Sequence, residues 1–211
     1  MTTNDLIARL AIEPPGPPLR PGRLALLALV AAVVPVTLFL AILGPRRGLA
    51  AAWMNPVVPF KTLIPLFICG LALTLALRLT RPEARPGWLA LGFLPPAVAA
   101  LALWIGAFVT RPPALRFAEV GVVSLAECLG LILLLSIVPA VAALRLLRQG
   151  ASASPTLSAA LAGLAAATGA TTGYSLFCTR DNPLFFVTWY GVAITLVTLI
   201  TAAAGRRLLR W

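Results

Sequence analysis

Six apolar runs, each long enough to cross a bilayer, dominate this chain, and the short segments between them hold almost every charge. A membrane helix needs roughly 20 mainly apolar residues, because the hydrocarbon core is about 30 Å thick and a helix rises about 1.5 Å per residue. The runs are Leu24–Leu43, Pro59–Leu77, Trp88–Val109, Val120–Leu144, Thr156–Cys178 and Leu184–Gly205. In hydrocarbon each backbone polar group must be satisfied internally, which a helix does within its own segment. The connections are short, so consecutive helices are expected to pack as antiparallel neighbours. The expected fold is all-α: a polytopic membrane protein with six transmembrane helices in an antiparallel bundle. It follows a tail over 1–23, occupies 24–205, and ends in a basic tail over 206–211.

Charge patterning supports this reading and excludes others. Only 11% of the residues are charged, against about 25% in a soluble domain. The net charge of +11 would indicate nucleic acid if it were clustered on a soluble face. Instead the basic residues flank the apolar runs, as they do at membrane helix ends, and no direct nucleic-acid contact is expected. They comprise 16 Arg and one Lys, a composition that points to a GC-rich bacterial source. The first run sits behind a proline-rich tail, exceeds a signal h-region and lacks a cleavage site, so it is expected to remain in the mature protein.

Arg9, Arg20, Arg23, Arg78, Arg81, Arg85, Arg145, Arg148, Arg206, Arg207 and Arg210 fall on one side, while Arg46, Arg47, Lys61, Arg111, Arg116 and Arg180 fall on the other. The positive-inside rule places the richer side, with both termini, in the cytoplasm. The expected location is the bacterial inner membrane.

Pro35, Pro65, Pro95, Pro96 and Pro139 lie within the runs, and each removes a backbone donor and shapes its helix. The fifth run carries Gly169-x-x-x-Gly173 and the row Ser158, Ala162, Ala166, Ala170. Small residues four apart allow close backbone approach, which predicts either a central position in the bundle or a homodimer face.

In the tail, Thr3 or Asn4 caps a short helix with Asp5 in its first turn, where the helix dipole favours an anion. Leu6, Ile7 and Leu10 then share one face. The proline-rich linker 14–18 ends this helix in extended form. So short a helix is marginal alone. Its apolar face needs the membrane surface or the groove of a partner protein, and a spacer favours the partner.

The cysteines form the second candidate site. Cys69 lies mid-span and reads as an apolar filler. Cys128 lies in the outer half of the fourth run and Cys178 ends the fifth. Cys128 precedes Arg148 by 20 residues and Cys178 follows Thr156 by 22, which puts both thiols about 30–33 Å from the shared cytoplasmic connection. Both approach the periplasmic side, where disulfides persist. Glu127, inside a span, is a functional candidate by default, with Lys61 or Arg180 as its expected partner, and Asp181 lies nearby. Cys128, Cys178 and Glu127 would offer a transient heavy-metal ion a soft site, although two cysteines make an incomplete zinc set. Redox or metal sensing is favoured over a structural disulfide. The chain has no His, hence no usual general base or imidazole ligand, and no Cys-x-x-Cys pair. Neither an enzyme nor a resident cofactor is expected.

The order and spacing of several segments resemble the NrsF family of six-span membrane anti-sigma factors, which restrain extracytoplasmic-function sigma factors in proteobacteria. They are Thr3-Asn4-Asp5-Leu6-Ile7-Ala8-Arg9-Leu10, the stretch from Asn55 to Phe60-Lys61, and a C-terminal series. That series runs from Cys128 through Gly163, Gly173-Tyr174-Ser175-Leu176-Phe177-Cys178 and Trp189-Tyr190 to Leu209-Arg210-Trp211. Phe177 departs from the pattern, since relatives often carry His before the second cysteine. The resemblance implies that the cytoplasmic N-terminus binds a sigma factor and withholds it from RNA polymerase. It also implies that Cys128 and Cys178 respond to heavy-metal or oxidative stress. A small transporter or channel is the alternative, but no inverted repeat is visible and the charges lie at the ends of the runs. A quinone-linked thiol oxidase would need the Cys-x-x-Cys pair that is absent.

Overall fold

The structure, a computed structural model, describes residues 2–3, 21–81, 83–149 and 154–208. The regular elements among them are all helical. In chain order they are α1 (Pro21–Leu43), α2 (Leu49–Ala52), α3 (Val57–Arg78), a 3-10 segment (Gly87–Phe93), α4 (Leu94–Thr110), α5 (Pro113–Arg116), α6 (Val122–Leu147), α7 (Pro155–Phe177) and α8 (Pro183–Leu208). The tail positions Asp5, Leu6, Ile7 and Leu10, the linker 14–18 and the last residues 209–211 lie outside the described residues.

The six expected runs coincide with the six long helical stretches to within three residues at each boundary, apart from the start of the third. That stretch begins as a 3-10 segment and becomes α-helical only at Leu94. Pro95 and Pro96 lack the N–H groups that would bond back to the preceding turn, so the α-helix starts beside them. Pro35, Pro65 and Pro139 lie inside α1, α3 and α6.

Five stretches are long and apolar enough to cross a membrane: Gly22–Leu43, Val57–Arg78, Gly87–Thr110, Val122–Leu147 and Pro183–Leu208. The remaining long helix, α7, equals α1 at 23 residues but is built largely from Ala, Gly, Ser and Thr. It has more buried positions than any other described helix, and it packs against α1, α3, α6 and α8. A helix enclosed by four others meets side chains rather than lipid, so small residues serve it better than apolar bulk.

Close approach sets the packing of α7. A Cβ on Gly163 would lie 2.6 Å from that of Thr201 on α8. Gly205 of α8 is pressed against Ala159, and Gly173 against Val36 of α1. Ser158, Ala162, Ala166 and Ala170 are all buried, so this row works inside one chain. Neighbouring helices of the same chain cover the face that the alternative reading gave to a second copy. Polar cross-links are few. Thr62 and Ser175 hydroxyls lie 2.8 Å apart between α3 and α7, the Cys69 thiol donates to Ala165 O at 3.3 Å, and Trp104 Nε1 donates to Thr188 Oγ1 at 3.1 Å.

The outer surface carries large apolar side chains on every long helix except α7's enclosed faces, among them Leu26, Leu66, Leu101, Leu134 and Leu199. Such an extent of exposed apolar surface is unusual for a soluble monomer and suits hydrocarbon.

Candidate functional site

At one end of the bundle α1 and α7 finish while α3, α6 and α8 begin, and here the buried charges gather. Lys61, in the first turns of α3, is 1% exposed. An ammonium group is buried only when its donors are matched. Its Nζ donates to Cys178 O at 2.7 Å, to Arg180 O at 2.8 Å and to Asp181 Oδ1 at 3.2 Å. The first of these acceptors is the carbonyl of Cys178, the residue that caps the end of α7, and the second lies in the connection to α8. A helix terminus has orphan carbonyls, and a cation is favoured beside them.

Arg46 completes the cluster from the α1–α2 connection. Its Nη1 donates to Asp181 Oδ1 at 2.7 Å and Oδ2 at 2.8 Å, and reaches Cys178 O at 3.4 Å. Its backbone N–H donates to Leu176 O at 2.9 Å. The end of α1, the start of α3 and the end of α7 are thereby tied around the Cys178 backbone. Asn182 extends the tie. It is buried, accepts from Leu184 N at 3.1 Å to cap α8, and donates to Arg116 O at 3.0 Å at the end of α5. The start of α6 is fixed by Ser124, whose hydroxyl accepts from Gly121 N at 3.0 Å and donates to Glu119 O at 2.8 Å.

Cys128 and Cys178 lie just inside this polar end. They are 0% and 4% exposed and belong to one core cluster with Phe39, Tyr174, Phe186 and Tyr190. Both cysteines are free thiols. Tyr174 adjoins both, and its ring meets that of Tyr190 edge-on at 5.9 Å between centroids. The Tyr190 hydroxyl neighbours Cys178 but completes no hydrogen bond among the described residues. Aromatic rings thus pack around the pair, while the backbone of Cys178 is held by two cations.

The structure brings Cys128, Cys178, Lys61 and Asp181 together. It does not pair Glu127 with Lys61 or Arg180. Lys61 is engaged by Asp181, and Glu127 is exposed on the wall of a cavity it shares with Arg46, Arg47 and Arg180. The expected partner of Glu127 is therefore corrected. Being near the helix start, Glu127 reaches open space and needs no buried counter-ion. Among the described residues no group of three His, Cys, Asp or Glu side chains is arranged to hold a metal ion. Cys69 lies half-buried between α3 and α7, away from the pair.

Sequence reasoning missed two members of the site. Arg46 counted only as a topology charge, and nothing in its spacing announces a partner 135 residues away. Asn182 did carry a signal: Asn followed by Pro183 is an N-cap followed by a first-turn proline.

The similarity of this chain to known proteins extends over nearly its whole length. The family model described as a negative regulator of sigma F, NrsF, matches residues 11–211. The chain is similar to the anti-sigma-F factor NrsF of Caulobacter vibrioides (strain NA1000 / CB15N), with 32% identity over 219 residues and all of both chains covered. It is also similar to the probable anti-sigma-F factor NrsF of Azospira oryzae (strain ATCC BAA-33 / DSM 13638 / PS), with 28% identity over 216 residues and again full coverage of both. No solved structure matches the chain.

Proposed function

The chain belongs to the NrsF family of negative regulators of sigma F, and on that premise we propose that it is a stress-released membrane anchor for a sigma factor. In this reading the protein crosses the bacterial inner membrane six times, with α7 as the shielded central span. Both termini lie in the cytoplasm. The partner is an extracytoplasmic-function sigma factor, held by the tail face of Asp5, Leu6, Ile7 and Leu10. Heavy-metal or oxidative stress reaches Cys128 and Cys178 from the periplasm, and a passing heavy-metal ion is held at most transiently.

One observation carries the coupling. The Cys178 backbone is bonded to Arg46, three residues beyond the end of α1, and α1 is the helix that leads from the tail. A change at the thiols that moves the end of α7 pulls on the α1 connection. The 23 residues of α1 carry that displacement about 35 Å to the opposite end of the bundle. A signal shifts the equilibrium only if it binds the released state better than the holding state. In this reading the difference comes from bond formation or metal capture at sulfur, which alters the backbone that Lys61 and Arg46 grip.

The test is a sigma-dependent transcription reporter in cells carrying Cys128→Ser or Cys178→Ser. Repression is expected to persist in both and induction by a heavy-metal salt or by peroxide to be lost. Full induction in both variants would sink the sensing assignment while leaving the anti-sigma role intact.

A further inference from the structure

We propose that the cavity above Cys178 is an anion-selecting vestibule, in which small anions pass between Arg47 and Arg180 to meet Cys178, with Cys128 behind it. The biological use of such a vestibule rests on the sensor reading above, but charge selection at Cys178 is a property of the cavity itself.

The cavity has a volume of about 270 Å³, and its wall includes Arg46, Arg47, Arg180, Glu127, Tyr174 and Cys178. It is smaller than the roughly 300–1,000 Å³ of a drug-sized site, so it favours small ions over extended ligands. Cys128 does not line it and is fully buried. A molecule arriving by this route therefore encounters Cys178 first.

The charge balance is positive. Arg46 and the buried Lys61 share the single carboxylate of Asp181. Arg47 and Arg180 are exposed and form no ion pair among the described residues, and Glu127 is the one acid on the wall. On the wall itself three arginines thus stand against one carboxylate. A concave wall of one sign raises the local concentration of the opposite ion.

The experiment uses the full chain in detergent, with Cys69→Ser and Cys128→Ser leaving Cys178 as the thiol. Its modification rate is measured with a sulfonate-bearing and a trimethylammonium-bearing methanethiosulfonate of similar size. In each case sulfur attacks the sulfenyl sulfur, a disulfide forms, methanesulfinate leaves and the thiol proton passes to buffer. The anionic-to-cationic rate ratio is normalised to a chain with all three native cysteines replaced by Ser and carrying Met54→Cys, since Met54 is 85% exposed and lies outside the cavity.

The normalised ratio at Cys178 is expected to be about 10 or more, at the lower end of known electrostatic focusing. Arg47→Gln with Arg180→Gln should return it to near 1, and Glu127→Gln should raise it. With Cys178→Ser and Cys128 restored, the remaining thiol should react at least about tenfold more slowly than Cys178, because burial shields it from the reagent. A ratio at or below the reference overturns the proposal, as does a ratio that survives loss of both arginines. Failure of Cys178 to react with either reagent, while Met54→Cys reacts, overturns it too. No sigma factor takes part, so charge selection can hold while the sensor reading fails in the reporter, and the reverse.

Discussion

Replacing Lys61 tests the clamp most sharply. Lys61→Met keeps most of the apolar stem and removes only the charged head. Cys178 O, Arg180 O and Asp181 Oδ1 lose a donor at 2.7, 2.8 and 3.2 Å. A buried acceptor left unmet costs about 1–3 kcal/mol, and breaking a fully buried ion pair about 3–5 kcal/mol. Two facts reduce that cost here. Arg46 still holds Asp181 through two short bonds, and the Asp181 side chain is 24% exposed, so water screens what remains. The expected destabilisation is about 2–3 kcal/mol, in the range of one to two unmet acceptors. Asp181→Asn should cost more, about 3–4 kcal/mol, because it leaves two cations facing each other with Lys61 buried. In the double variant the effects should fall short of their sum by at least about 1 kcal/mol, since the two side chains are in contact. Reversible unfolding of the full chain in mixed micelles, followed by tryptophan fluorescence across an SDS titration, measures all three. A Lys61→Met variant within about 0.5 kcal/mol of the parent, the range of an unremarkable surface substitution, would refute the clamp. Strict additivity in the double variant would do the same.

Further tests probe the packing around the site. Gly163→Ala and Gly205→Ala place a methyl against Thr201 and Ala159, and each is expected to destabilise the α7–α8 pair by about 1–3 kcal/mol through overpacking. Gly130→Ala, which meets nothing within 4 Å, should be neutral or stabilising by about 0.5–1 kcal/mol because alanine is the better helix former; the same titration separates the two classes. Asn182→Ala removes the α8 cap and the bond to Arg116 O, and a loss of about 1–2 kcal/mol is expected. Asn182→Asp restores the cap acceptor but not the amide donor, so it should recover only part of that loss.

Most of the helical frame was legible because a membrane helix announces itself by length and apolarity. The central role of α7 was legible for a different reason: its row of small residues allows neighbours to close in, and Ser158, Ala162, Ala166 and Ala170 are all buried. The depth of Cys128 and Cys178 followed from counting residues along two helices, and both fall in one cluster. What could not be read was azimuth. Glu127, Lys61, Arg46 and Asp181 lie at the same end of the bundle, and their depths alone allow several pairings. Which carboxylate meets Lys61 depends on how α3 and α6 are rotated about their axes, and that is set by contacts spread over the whole bundle. Lys61 therefore meets Asp181, and Glu127 faces the cavity instead. Arg46 was hidden in the same way, since its partner is 135 residues distant and its neighbours in sequence are unremarkable loop residues.

The central claim is that this chain holds a sigma factor at the membrane by its N-terminal tail. Co-expression with an extracytoplasmic-function sigma factor, followed by quantifying that factor in washed membranes, tests it directly. The full chain is expected to retain the sigma factor, and a chain lacking residues 1–22, or carrying Leu6→Asp with Leu10→Asp, is expected to release most of it while staying in the membrane itself. Undiminished retention by both altered chains would contradict the account.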